Sequence, residues 1–227
     1  MEDTIRHIVI WALPLLAAVV FHEVAHGWVA NRLGDPTAAN LGRLTLNPIS
    51  HIDLFGSILV PLMLIIAHSP FVFGYAKPVP VNFNNLRNPK RDMIWVALAG
   101  PVTNLVLALG CTIAWRVLAG ALDGDGGKSA GGAAQFLSPL ILMAQGGVLI
   151  NIGLAVFNAL PLPPLDGGRV MVGLLPPPFS GALARIEPYG FIILIALLMT
   201  RTLDKIIDPP MEFRWIPPQG VAHEIHP

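Results

Sequence analysis

The strongest constraint in this sequence is the spacing of its charges. Ile8 to Asn31 carries a single charge, Glu23, while Met93 to Trp115 and Phe136 to Leu160 carry none. A helix needs roughly 20 consecutive apolar residues to cross the hydrocarbon core of a bilayer, and each run reaches that length. Composition agrees: 54% of the 227 residues are hydrophobic and only 12% charged. A soluble domain carries about 25% charge, so this chain lacks the polar surface to coat a water-soluble globule. The expectation is an all-α polytopic membrane protein of about 4–6 helices, with core spans near 8–31, 93–118 and 136–160 and a further helix at 187–207.

The connections read as loops rather than as a second domain. Gly34-Asp35-Pro36, Lys77-Pro78-Val79-Pro80, Gly120 to Gly132 and the proline-rich Pro161 to Pro178 all punctuate helix. Met1-Glu2-Asp3-Thr4 opens acidic where a cleavable signal needs a positive start, so the first span is expected to be retained. A single unit over 1–207 and a Pro-rich tail over 208–227 are expected. The tail's His223-Glu224-Ile225-His226 reads as solvated terminus rather than as a metal site. Fourteen basic against fourteen acidic residues give zero net charge and no basic run, which excludes nucleic acid as a partner. The lone Cys111 permits neither an intrachain disulfide nor a multi-thiolate metal site.

Metal chemistry must therefore use His and carboxylates, and the first span supplies them as His22-Glu23-Val24-Ala25-His26. At 3.6 residues per turn the two imidazoles share one helix face, spaced for one zinc ion, and Glu23 stands beside them as a candidate base. Ionisable groups inside a span are costly and rare, which favours a ligand role over a polar cluster that merely ties helices together. A catalytic zinc takes three protein ligands and keeps one open position. Asp166 is the candidate third, after Asn158-Ala-Leu-Pro-Leu-Pro-Pro-Leu, where the prolines forbid a regular helix. A solvated Asp in an ordinary Pro-Gly turn is the alternative.

His22-Glu23-Val-Ala-His26, Gly100-Pro101-Val-Thr-Asn104 and Asn158-x-x-Pro161 leading to Leu165-Asp166-Gly167 resemble the three ordered motifs of the site-2 protease family of intramembrane zinc metalloproteases. Gly34-Asp35-Pro36-Thr37, Arg43-Leu44-Thr45-Leu46-Asn47-Pro48, His51-Ile52-Asp53 and Ala76-Lys77-Pro78-Val79-Pro80-Val81-Asn82 are similar to its compact bacterial and archaeal branch without a PDZ domain. The resemblance implies that His22, His26 and Asp166 hold one zinc ion and that Glu23 is the general base. It implies that Asn104 and Asn158 shape the site or hold substrate, and that the substrate is a transmembrane protein or peptide in the lipid bilayer of a prokaryotic cell. His51 and Asp53 are read as ordering their loop rather than as supporting the metal.

A shared ion also constrains topology. His26 and Asp166 must lie at one depth, so an even number of crossings separates them. The spans near 93–118 and 136–160 supply two, which makes 54–76 re-entrant or a hairpin, with strand-like edges near Leu41 to Leu46 and Val79 to Phe83, the latter a candidate edge for β-addition of substrate. Arg32, Arg43, Lys77, Arg87, Lys90, Arg91, Arg169 and Arg185 then fall on the metal side, against Arg6, Arg116, Lys128, Arg201, Lys205 and Arg214 opposite. That excess places the site near the cytoplasmic face. Two rivals to a protease stand: a metal-binding or transport protein, whose intramembrane His and Asp would line an ion path, and an inactive relative that binds membrane partners without cutting them.

Overall fold

The computed structural model describes residues 2–68, 74–124 and 133–200. All regular structure among them is helical. The long helices are α1 (Glu2–Leu33), α4 (Pro89–Gly124) and α5 (Ala133–Asn158). Between the first two lie α2 (Thr37–Asn40) and a helix that begins as a π-turn at Leu54–Leu59 and continues as α3 (Val60–Ile66). After α5 come α6 (Asp166–Leu174), α7 (Pro177–Ala184) and α8 (Glu187–Met199). Ile8–Leu33, Pro89–Leu122 and Ala134–Asn158 are each long and apolar enough to span a bilayer. The pair α7 and α8, bent by 44°, makes a fourth span if the two act together, the lower end of the expected number. Residues 201–207 of the expected fourth helix and the whole 208–227 tail, His223 and His226 included, fall outside the described residues.

The bundle is inside out relative to a soluble protein. Leu105, Val106, Leu109, Ile113 and Val117 of α4 face outward, whereas His22, His26, Asn104, Gln145, Asn151 and Asp166 are buried. Helices in lipid gain little from burying apolar surface against one another; close packing of small residues and matched polar groups hold them together. The interfaces follow suit: α4 packs most extensively on α5 and α1, and Ala18, Ala30, Ala97, Ala108, Ala144 and Ala155 are all in the core.

Leu54–Ile66 has 13 residues between its named ends, too short at 1.5 Å each to cross a core of about 30 Å. Its chain also returns to its start. Tyr75 N–H donates to Gly56 O (3.0 Å), Ser57 Oγ donates to Tyr75 O (2.8 Å) and Lys77 N–H donates to His51 O (2.9 Å). Entry and exit are adjacent, as a re-entrant segment requires. His51 Nε2 bonds Thr45 O, and Asp53 caps the π-turn at Gly56 N–H, so both serve their loop.

The expected strand edges do not form a ladder. Pro78 and Pro80 have no N–H to offer. The Val79 and Asn82 amides are taken by the carboxylates of Glu23 (2.8 Å) and Asp35 (2.7 Å). The Lys77 and Pro78 carbonyls accept from the Arg43 guanidinium, so a side chain, not a strand pair, joins the two segments. The stretch 77–82 is thus a strap laid on α1, and Gly27 lets it approach: a Cβ there would sit 2.6 Å from Val79 Cγ1.

Asp35 anchors the strap. Fully buried, it accepts from Thr37 N–H and Oγ1–H, Asn85 Nδ2–H (2.9 Å) and Asn82 N–H. Burial pushes its carboxyl up, but these donors outweigh it and hold the group below the usual carboxylate range. A depressed folded value stabilises above the ordinary carboxylate pKa of ~3.9, and that contribution disappears as pH falls through the folded value.

Two outcomes are expected. Cysteines placed at 53 and 76 are labelled from the same side of the membrane by an impermeant thiol reagent, and opposite labelling contradicts the re-entrant fold. Asp35→Ala costs about 2 kcal/mol at neutral pH through donors left unpaired, read as faster proteolysis within 77–88, and the gap to wild type narrows as pH falls below about 4.

Candidate metal centre

α1 carries His22 and His26 one turn apart, their ring centroids 4.6 Å apart and their planes at 82°. The Nε2 atoms lie 3.0 Å from one another, and 3.2 and 3.3 Å from Asp166 Oδ2. All three side chains are buried, and their ligand atoms lie within 4.8 Å of one another. The ring atoms on the far sides are tied off. His26 Nδ1–H donates to Val96 O (2.7 Å), and His22 Nδ1–H donates to Asn104 Oδ1 (2.5 Å). Both acceptors belong to α4.

Those outer bonds decide the chemistry of the inner atoms. A carbonyl only accepts, so the proton of neutral His26 sits on Nδ1 and Nε2 keeps its lone pair; the Asn104 oxygen does the same for His22. Asp166 Oδ2 is buried and receives no hydrogen-bond donor. Two imidazole lone pairs and a carboxylate oxygen pointed at one another repel unless a cation lies among them. Two nitrogens and one hard oxygen, with their outer atoms held, make a donor set that suits zinc.

Local sequence explains how each group arrives. Pro101 cannot donate to the Ala97 carbonyl, and the turn it weakens bears the Val96 carbonyl that receives His26. Gly100 faces both imidazoles: a Cβ there would lie 2.6 Å from His22 Nε2 and closer to His26 Nε2, in the space the ligand atoms converge on. Asp166 is delivered by the unwound Ala159–Leu165 stretch, folded back through Leu165 N–H to Leu162 O (2.9 Å) and Gly168 N–H to Leu165 O (3.0 Å). Gly167 permits that fold, since a Cβ would lie 2.5 Å from Leu160 O. A cavity of about 270 Å³ adjoins Asp166, lined by Ala97, Pro101, Pro161, Val170 and Met171.

Of the residues expected from sequence, His22, His26, Asp166 and Asn104 come together. Glu23, half-buried beside them on α1, accepts Val79 N–H at 2.8 Å. Asn158 stays apart from the cluster's hydrogen bonds and donates to Leu154 O of its own helix (3.0 Å). Sequence reasoning missed the Val96 carbonyl, Gly100 as the empty face of the site, and Asn151, whose oxygen accepts from Asn104 Nδ2 (2.8 Å). The signal for Asn151 was present: a polar side chain inside a charge-free span asks for a partner as insistently as Asn104 does.

A family profile described as peptidase family M50 matches residues 10–200. A Bacillus subtilis (strain 168) relative provisionally named the zinc metalloprotease YwhC is 39% identical over 198 residues, which is 87% of this chain and 83% of that protein. Rip2 of Mycolicibacterium smegmatis, likewise provisionally named a zinc metalloprotease, is 31% identical over 193 residues, 84% of this chain. Rip2 of Mycobacterium tuberculosis strain H37Rv is also 31% identical, over 83% of this chain, which spans 66% of the length of each Rip2 protein. No solved structure matches.

Gly100→Ala is expected to push the imidazoles apart and weaken divalent-metal binding by about 100-fold, the upper range for disturbed ligand support. Chelator competition on the purified protein measures it, and unchanged affinity would show that α4 does not line the ion's space.

Proposed function

The chain belongs to peptidase family M50, the site-2 protease family, and on that premise we propose that it is an intramembrane zinc metalloendopeptidase cutting transmembrane segments of other membrane proteins. The observation that carries the reading is the convergence of His22 Nε2, His26 Nε2 and Asp166 Oδ2 with both outer ring nitrogens already bonded. In this reading these three side chains hold one zinc ion. When bound, zinc supplies Lewis-acid chemistry, making water a nucleophile at neutral pH and polarising a peptide carbonyl.

The chain's own groups do the rest. The Glu23 carboxylate takes a proton from water as its oxygen adds to the scissile carbonyl carbon, then returns that proton to the nitrogen as the C–N bond breaks. One peptide and one water give a carboxylic acid and an amine. The Val79 N–H bond to Glu23 Oε2 fixes the direction of the carboxylate. Asn158 stands at the cytoplasmic end of α5 in this topology, where it can meet the unwound substrate. The cavity beside Asp166 is walled by aliphatic side chains and proline rings, which suits one apolar residue next to the cut.

A substrate helix hides its carbonyls in its own hydrogen bonds and must unwind before cleavage. The strap offers less than a free strand edge for this, because its Val79 and Asn82 amides are engaged. The excess of Lys and Arg on the metal side supports a cytoplasmic-facing site in a prokaryotic cell membrane, within one protease unit that extends through α8.

Glu23→Gln should retain zinc and lose cleavage of a model transmembrane substrate by about 10²–10⁴-fold. Asp166→Ala should lose both. Cleavage that survives Glu23→Gln would favour a metal-handling role instead.

A further inference from the structure

Asn151 touches no candidate ligand of the metal, yet it stands at the far end of a chain of amides that ends on one. On α5 it is 3% exposed. Its Nδ2–H donates to Gly147 O one turn back (2.8 Å), and its Oδ1 accepts from Asn104 Nδ2–H (2.8 Å). Asn104, fully buried, also donates to Ala18 O through a longer bond of 3.3 Å and presents its oxygen to His22 Nδ1–H.

The polarity of this chain is set from its outer end. The Gly147 carbonyl can only accept, so Asn151 must turn its nitrogen toward Gly147 and its oxygen toward Asn104. Asn104 then faces Asn151 with nitrogen and His22 with oxygen. His22 keeps its proton on Nδ1, and Nε2 keeps the lone pair that a cation needs. Without an acceptor at 151, only the 3.3 Å bond to Ala18 O resists reversal of the Asn104 amide. A reversed Asn104 would donate to His22 Nδ1 and drive the ring proton onto Nε2, where it blocks coordination.

We propose that Asn151 is a positioning residue of the metal centre, selecting the His22 tautomer through Asn104 and so setting the affinity for zinc. This rests on the zinc reading above and extends it to α5. α1 supplies the imidazoles, α4 the inner amide, and α5 the group that decides which way the inner amide points.

The test is zinc affinity of the purified full chain in detergent, by competition with a chromophoric chelator. Asn151→Leu is expected to weaken zinc binding about 10-fold. Asn151→Asp, neutral when buried, can still donate to Gly147 O and accept from Asn104, and should bind like wild type. Gln145→Leu, which removes a different buried polar side chain from α5, should also bind like wild type. An Asn151→Leu protein with wild-type affinity, an Asp variant that falls as far as Leu, or an equal loss in Gln145→Leu each overturns the proposal. Nitrogen-15 chemical shifts of His22 in the zinc-loaded wild type need no variant: coordination through Nε2 with a protonated Nδ1 is expected, and the reverse overturns it. Wild-type protein that takes up no zinc overturns the metal reading and this proposal with it, whereas wild-type uptake with an indifferent Asn151→Leu overturns this proposal alone.

Discussion

The hydrogen bonds from the outer nitrogens of His22 and His26 to α4 govern this structure. Inside an apolar span few waters are at hand to satisfy a stray polar group, so the outer nitrogen of each imidazole takes its partner in protein. Once Val96 O and Asn104 Oδ1 accept from the two Nδ1–H groups, both Nε2 lone pairs are committed to the interior, where Asp166 meets them. The same bonds tie α1 to α4, and the Asn104–Asn151 bond ties α4 to α5. The bonds that join the three helices are therefore also the ones that orient the candidate metal ligands. A soluble protein of this size would rely on apolar burial, whereas here small residues set the approach and polar groups set the register.

Around that centre the irregular segments have definite tasks. The proline-rich link after α5 abandons helix geometry to bring Asp166 back to His22 and His26, and glycines of α6 (Gly167, Gly168) and α8 (Gly190) pack closely against it. The strap over 77–82 is held at both ends by carboxylates of the α1 region, Glu23 and Asp35. One of these is the proposed base and the other a buried anchor, so the position of Glu23 depends on loop geometry set twelve residues further along the chain.

Much of this was legible in the sequence. Charge-free runs gave the long helices, and the His-x-x-x-His spacing with its neighbouring Glu gave one wall of the site. The even-crossing argument led to the expectation that 54–76 returns to its side, and the bonds of Gly56, Ser57 and His51 to Tyr75 and Lys77 bring the two ends of the segment together. What periodicity could not reveal were contacts that depend on where backbone carbonyls point or where a side chain is missing: Val96 O, the open face of Gly100, the pairing of Asn104 with Asn151. The strand-like edges were misread for a similar reason. Alternating Val and Pro look extended, but proline removes half the donors of a strand, and the donors that remain go to carboxylates.

The central claim, that two imidazoles and one carboxylate form a zinc site among three helices, is tested most directly by X-ray absorption at the zinc edge of the purified protein. The account predicts one zinc per chain with a low-coordinate shell of nitrogen and oxygen at about 2.0–2.2 Å and the multiple-scattering pattern of two imidazoles. A shell containing sulfur, a shell of oxygen without imidazole, or protein that carries no zinc after loading would contradict it.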